Sequence, residues 1–201
     1  HLTEAGVVAV KADSPYKTIE ELVAAAKEKG NLKASTNGNK ASNHTAAQLL
    51  AKSAGFKYKA IPYGGTADQL LALRQGEVDF TCAKVADVAK LVKGDKPELR
   101  VLAVFNTKRD PELPNVPTLG EKGLYPEWYG SARALVAPKG TKPEVIQYYV
   151  EAFKKTMQDP AVIEAHKKAG MALDFKDNKE LGDLIKAQDK FARDVVNDLY
   201  K

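Results

Sequence analysis

The sequence predicts an α/β fold, and three observations carry that prediction. Short apolar, β-branched runs alternate with amphipathic helical runs from about residue 5 to residue 106. The connections between them are only a few residues long, and a glycine follows most of the helical runs. Such alternation with short crossovers implies parallel strands covered by helices.

Residues 5–11 (AGVVAVK) are apolar and β-branched and read as a strand already under way. In residues 14–30 (SPYKTIEELVAAAKEKG), Thr18 and Glu21 have the spacing of a capping box and Gly30 supplies the stop. Leu22, Val23 and Ala26 mark the buried stripe of that helix. Residues 32–36 (LKAST) form a short strand, followed by a helix from about Ser42 to Ala54 that ends at Gly55. Residues 57–63 (KYKAIPY) are the next strand, and Thr66 with Gln69 predicts a second capping box opening the helix that follows. The strand 77–83 (EVDFTCA), a short helix within 85–94 and the strand 98–106 (ELRVLAVFN) complete the alternation.

The texture changes beyond residue 106. Five of the ten prolines fall between Pro111 and Pro138, which predicts loop. One short helix capped by Thr118 and Glu121 is expected inside it. Residues 128–138 (WYGSARALVAP) predict a long strand. Three helical runs follow Gly140. Thr141 and Glu144 are expected to cap the first, and Asp159–Pro160 opens the second. The third runs from about Lys179 to Tyr200, with Leu181, Leu184, Ile185, Gln188, Phe191, Val195 and Leu199 on one side. Helices at this end need a sheet to lie on, and one strand does not supply it. The expectation is that part of the protein precedes this chain.

Composition narrows the function. A formal net charge of +5 is compatible with nucleic acid, an acidic membrane surface or anionic small molecules. The lysines, however, are mixed with glutamates along helices, and no basic block or aromatic-interleaved basic segment occurs, so nucleic acid is not the expected partner. No apolar run reaches the length of a membrane span, and no signal peptide is visible. The lone Cys82 lies in an apolar strand and reads as a buried small hydrophobe. Nucleophile elbow, P-loop, dinucleotide glycine fingerprint and zincin motif are all missing from the sequence, so no enzymatic activity and no cofactor or metal are expected.

The polar residues gather where strands end, which is where open α/β sheets bind ligands. Three such ends are 35–44 (STNGNKASNH), 63–69 (YGGTADQ) and 82–87 (CAKVAD). The first two share a design of strand, glycine-containing turn and helix start with hydroxyl or amide side chains. Free backbone N–H groups and the positive end of a helix dipole meet there. Two readings stand side by side: an anion site, or ordinary helix caps and turns. His44 is a base, a ligand contact or a packed first-turn residue. Lys84 either complements a carboxylate or faces solvent.

Several motifs occur together in the order and spacing of a known family. SPYKTIEELVAAAK, NGNKASNHTAAQLLAKSAG, IPYGGTADQLLALRQGEVDF, LRVLAVFNTKRDPELPNVPTLGEKG and ALVAPKGTKPEVI all resemble the substrate-binding proteins of tripartite tricarboxylate transporters, the TctC or Bug family. The fourth is the most specific. The resemblance implies a periplasmic-binding-protein type II (Venus-flytrap) architecture with one complete α/β lobe at 12–105. Residues 1–11 and 106–201 would supply crossing strands and C-terminal helices of the other lobe, whose N-terminal part is expected to be absent.

It further implies a periplasmic receptor, without enzymatic activity, for a di- or tricarboxylate, an acidic amino acid or an aromatic acid, working with the membrane subunits of the transporter. The ligand-binding residues it implies are Ser35, Thr36, Asn37, Gly38, Asn39, Ser42, Asn43 and His44 from one loop, and Gly64, Gly65, Thr66 and Ala67 from the next; Lys84 joins them on the residue reading above. The chain departs from the family at Lys40, where a glycine is usual, and near Lys84, where a small polar residue is common. Edges left open by an incomplete lobe would favour dimerisation or strand exchange. The alternative is the effector domain of a LysR-type transcription regulator, which has a related bilobed fold.

Overall fold

The computed structural model describes residues 2–171 and 173–200. The strands are β1 (Leu2–Lys11), β2 (Lys33–Thr36), β3 (Lys59–Pro62), β4 (Phe80–Lys84), β5 (Leu99–Phe105) and β6 (Gly130–Arg133). The helices are α1 (Ile19–Lys29), α2 (Ser42–Ala54), α3 (Thr66–Gln75), α4 (Val85–Val88), α5 (Pro143–Met157), α6 (Pro160–Lys168), α7 (Asn178–Phe191) and α8 (Asn197–Leu199), with a π-helical segment (Ala192–Val196) between the last two. The chain divides into two compact units. One is Ala5–Ser131, and the other combines the chain before Ala5 with the chain from Ala132 onward.

In the Ala5–Ser131 unit the strand order is β3-β2-β4-β1-β5. β2 is parallel to β3 and to β4, with Ser35 opposite both Ile61 and Thr81. The expectation of an all-parallel sheet fails at β1, which runs antiparallel between β4 and β5. Its composition explains its position: Ala5 and Val7 to Val10 are all buried, as suits a strand covered on both faces. One apolar cluster joins Val7 and Ala9 of β1 to Leu73 of α3, Val88 of α4, Val104 of β5 and Leu113.

The helix signals were obeyed unequally. Thr18 accepts from the Glu21 N–H at 3.2 Å, but the Glu21 carboxylate reaches Lys17 N–H at 2.6 Å, one residue before the box position. Gly30 closes α1 in the left-handed region, at φ 66°. The Thr66–Gln69 capping box does not form. Gly65 is the N-cap of α3 without a side-chain bond, and Gln69 is fully buried. Thr118 does accept from the Glu121 N–H at 3.0 Å, but it caps turns rather than the expected helix. Pro117 before and Gly120, Gly123 and Pro126 after leave too few residues for an i→i−4 ladder.

The expected strand 128–138 shortens to β6, which pairs with β1. Residues 134–138 lie outside the ladder, and Val136 is 82% exposed. Strand propensity without a neighbouring strand leaves the backbone unpaired.

In the other unit, α5 takes Lys142 as its N-cap and Pro143 in its first turn. The Thr141 hydroxyl donates to the Pro138 carbonyl at 2.8 Å instead of capping the helix. Asp159 caps α6 as expected, accepting from Ala161 N–H at 2.8 Å. α7 carries a reciprocal box that the sequence reading missed, Asp177 with Glu180. Glu4 is buried and pairs with Arg133 at 3.0 Å, while Thr3 bonds Asp174. A groove of about 700 Å³ runs past Leu135, Val145, Tyr149, Phe153, Leu181 and Ile185. Of the described residues in α5, α6 and α7, only Met157 is buried, so the apolar stripe of α7 is only partly covered.

Gly6 sits where space is tight. A Cβ there would lie 3.1 Å from both the Phe105 ring and the Tyr129 carbonyl, which already accepts the Gly6 N–H at 2.8 Å. Gly6→Val is expected to lower stability by about 1–3 kcal/mol through overpacking, read as a lower urea midpoint at unchanged m-value. An unchanged midpoint would mean that β1 and Tyr129 separate at little cost.

Candidate functional site

Parallel pairing sets the C-terminal ends of β3, β2 and β4 along one edge, with Thr36 opposite Pro62. β1 brings its own start to that edge, since Gly6 pairs with Lys84. The loops leaving these strands therefore gather there.

The first loop leads into α2. Ala41 is the N-cap and has no side chain able to cap, so Asn37 accepts the Asn43 N–H at 3.3 Å from six residues back. Lys40 has φ 58°, a conformation that favours glycine, at the position where the family resemblance expects one. Its N–H donates to His44 Nδ1 at 2.9 Å, so the neutral ring carries its proton on Nε2. Burial holds the His44 pKa below the ordinary 6.5, which favours that neutral ring.

Beneath this loop lies a connected set of buried polar groups. The Lys84 ammonium donates to Asn43 Oδ1 at 2.6 Å and to Ser42 Oγ at 3.3 Å. Asn43 Nδ2 donates to Gln69 Oε1 at 2.9 Å. Gln69 Nε2 donates to the Cys82 carbonyl at 2.6 Å and to Thr81 Oγ1. The Thr81 hydroxyl donates to the Ser35 carbonyl at 2.9 Å and accepts from Ser35 Oγ at 3.0 Å. Tyr129 closes the set from above, its hydroxyl donating to the Ser42 carbonyl at 3.1 Å.

The expected site residues thus divide by burial. Ser35, Thr36, Asn43, His44 and Lys84 are buried. Asn37, Gly38, Ser42, Gly65 and Thr66 are half-buried, and Asn39, Gly64 and Ala67 are exposed. Hydrogen bonds join Ser42, Asn43 and Lys84 directly, and Ser35 reaches them through Thr81 and Gln69. Thr36 turns its hydroxyl to the Gly38 carbonyl at 3.3 Å, and Tyr63 N–H returns to the Thr36 carbonyl at 2.9 Å. Of the two readings of Lys84, solvent-facing is excluded, because the residue is only 6% exposed.

Gln69, Thr81 and Tyr129 escaped the sequence reading. Gln69 had a signal: it shares a helix face with Leu70 and Leu73, so a polar residue lay on the apolar stripe. Cys82 is buried and desolvation pushes its thiol up to about 12, which removes it as a nucleophile near neutrality. Among the described residues no cluster of three His, Cys, Asp or Glu side chains fits a metal ion, and no helix is long and apolar enough to cross a membrane.

Fold and strand-end loops together define the chain as having the architecture of periplasmic solute-binding proteins. A TctC solute binding protein from Polaromonas superposes with a TM-score of 0.84 at 27% identity, covering 98% of this chain and 67% of that one. The chain belongs to the tripartite tricarboxylate transporter family receptors, whose family model matches residues 2–199. The "UPF0065 protein in gbd 5'region" of Cupriavidus necator is 38% identical over 152 residues, 75% of this chain and 45% of that protein. The chain spans about half the length of the curated relatives it matches. Two structures at 22% identity share the fold. One is an R. palustris protein with adipate (TM-score 0.78, 96% of this chain and 65% of that one). The other is MatC from Rhodopseudomonas palustris with bound malate (0.68, 84% and 57%).

Two measurements check this environment. His44 has a folded pKa below its unfolded value, so its contribution to stability is full above about pH 6.5 and is lost as pH falls through the folded value. Its proton NMR titration should have a midpoint below 6.5, and His44→Gln should flatten the stability profile over that window. Cys82 should resist a thiol reagent at about pH 8 in the native chain and react once the chain is unfolded; fast native labelling would contradict the burial.

Proposed function

We propose that this chain is the ligand-binding part of an extracytoplasmic receptor that takes a small carboxylate, in the periplasm, for the membrane subunits of a tripartite tricarboxylate transporter. One observation carries the reading: a lysine ammonium is held inside the sheet edge, against the first turn of α2, where two further strand-end loops gather. α2 has no acidic residue in its first turn to answer its dipole. A small carboxylate complements a cation and backbone N–H groups together.

Support comes from the family match and from the dicarboxylates adipate and malate in proteins of this fold. In this reading residues 12–105 supply the ligand-binding loops, within the Ala5–Ser131 unit. Ser42, Asn43, Gly64 to Ala67 and Lys84 hold the ligand, with Ser35, Thr36, Asn37, Asn39 and His44 shaping the loop. The receptor does not transform its ligand. The regulator alternative draws no support from the matches reported above, and dimerisation or strand exchange belongs to this reading as a property to be measured by light scattering.

Calorimetry with citrate, succinate, glutamate and an aromatic acid tests the proposal. A charge-assisted hydrogen bond contributes roughly 1.5–3 kcal/mol, so Lys84→Ala should weaken binding by about one to two decades. The effect should grow at low salt. Thr66→Ala should weaken binding at the second loop, and Ser14→Ala should leave it unchanged. Unaltered affinity in both Thr66→Ala and Lys84→Ala would move the site elsewhere.

A further inference from the structure

The hydrogen-bond directions in the buried set follow from one group. The Cys82 carbonyl can only accept, so the amide nitrogen of Gln69 has to face it at 2.6 Å. The oxygen of that amide then faces α2, where the Asn43 nitrogen answers it at 2.9 Å. Asn43 in turn is left with its oxygen toward the Lys84 ammonium, at 2.6 Å. Each amide end is thereby assigned by its neighbour, back to a main-chain atom that cannot turn. Gln69 and Asn43 are essentially fully buried, so water does not offer either amide an alternative partner.

We propose that Gln69 is a positioning residue for the carboxylate site, fixing the Asn43 amide so that its oxygen holds the Lys84 ammonium at the strand end. The residue touches β4 through Cys82 and Thr81 and α2 through Asn43, and Thr81 links it onward to the Ser35 carbonyl of β2. One side chain thus connects all the elements that carry the first loop and the lysine. Were Asn43 to rotate, two donors would confront each other and the ammonium would lose its shortest contact. This inference rests on the carboxylate reading for its purpose but not for its first test.

That first test needs no ligand. In the 201-residue chain labelled with nitrogen-15, the Lys84 ammonium should give a protected side-chain signal, and the Asn43 amide protons should be well separated. Gln69→Leu should collapse both features; Gln69→Glu, of the same shape, serves where Gln69→Leu does not fold. When ionised, the carboxylate introduced by Gln69→Glu would set two acceptors face to face at the Cys82 carbonyl, whereas its protonated form restores one donor. Both features should therefore return on acidification in Gln69→Glu and show no such pH dependence in wild type.

The second test is a double-mutant cycle with succinate and adipate as probes. Gln69→Leu should weaken binding about tenfold in wild type and leave it unchanged in a Lys84→Met background. Equal losses in both backgrounds, or Lys84 and Asn43 signals that ignore Gln69, would overturn the proposal. Unchanged affinity in Lys84→Met alone would instead overturn the carboxylate reading, with the side-chain signals still deciding the role of Gln69.

Discussion

A lysine ammonium taken out of water must be given partners, and much of this sheet edge is built around that constraint. Removing the charge from solvent costs several kcal/mol unless hydrogen bonds replace the lost hydration. Lys84 meets Asn43 and Ser42, Asn43 meets Gln69, and Gln69 meets the β4 backbone. A network of this kind is stabilising only when every member is satisfied. Its chemistry therefore restricts residues that sit far apart in the chain: positions 35, 42, 43, 69, 81, 82 and 84 constrain one another through hydrogen bonds.

The sheet makes this economy feasible. Parallel β2, β3 and β4 end at one level, so a strand end, a helix start and a neighbouring strand meet without long loops. Antiparallel β1 adds its glycine at the same level, where Phe105 and Tyr129 approach closely and leave little room for a side chain. Tyr129 then ties the segment after β5 to the start of α2 by one hydroxyl. The same edge holds the left-handed Lys40, whose N–H donates to the ring of the buried His44.

The Ala132-onward unit follows different physics. Its helices are well capped at Asp159 and Asp177, so local signals suffice to start them. Their apolar faces are nonetheless only partly covered, and residues 134–138 find no strand to pair with among the described residues. Caps and propensity begin a helix or strand, but burial against another element is what completes it.

The sequence by itself determined the elements whose signals are local. The alternation of apolar runs, the Gly30 and Gly55 stops and the Asp159–Pro160 start all act within a few residues, so period and cap chemistry reveal them. It also carried the family, through motifs whose order along the chain is itself information. Tertiary structure alone decided the rest. Thr66 and Gln69 have the spacing of a cap, yet the Gln69 amide is drawn inward because polar groups on β4 and α2 offer it better partners than a solvated helix end. Lys84 is indistinguishable in sequence from a surface lysine, and only the packing of α2 over β4 buries it. The direction of β1 and the shortening of β6 likewise depend on which strands lie alongside, a relation between distant residues that no local pattern encodes.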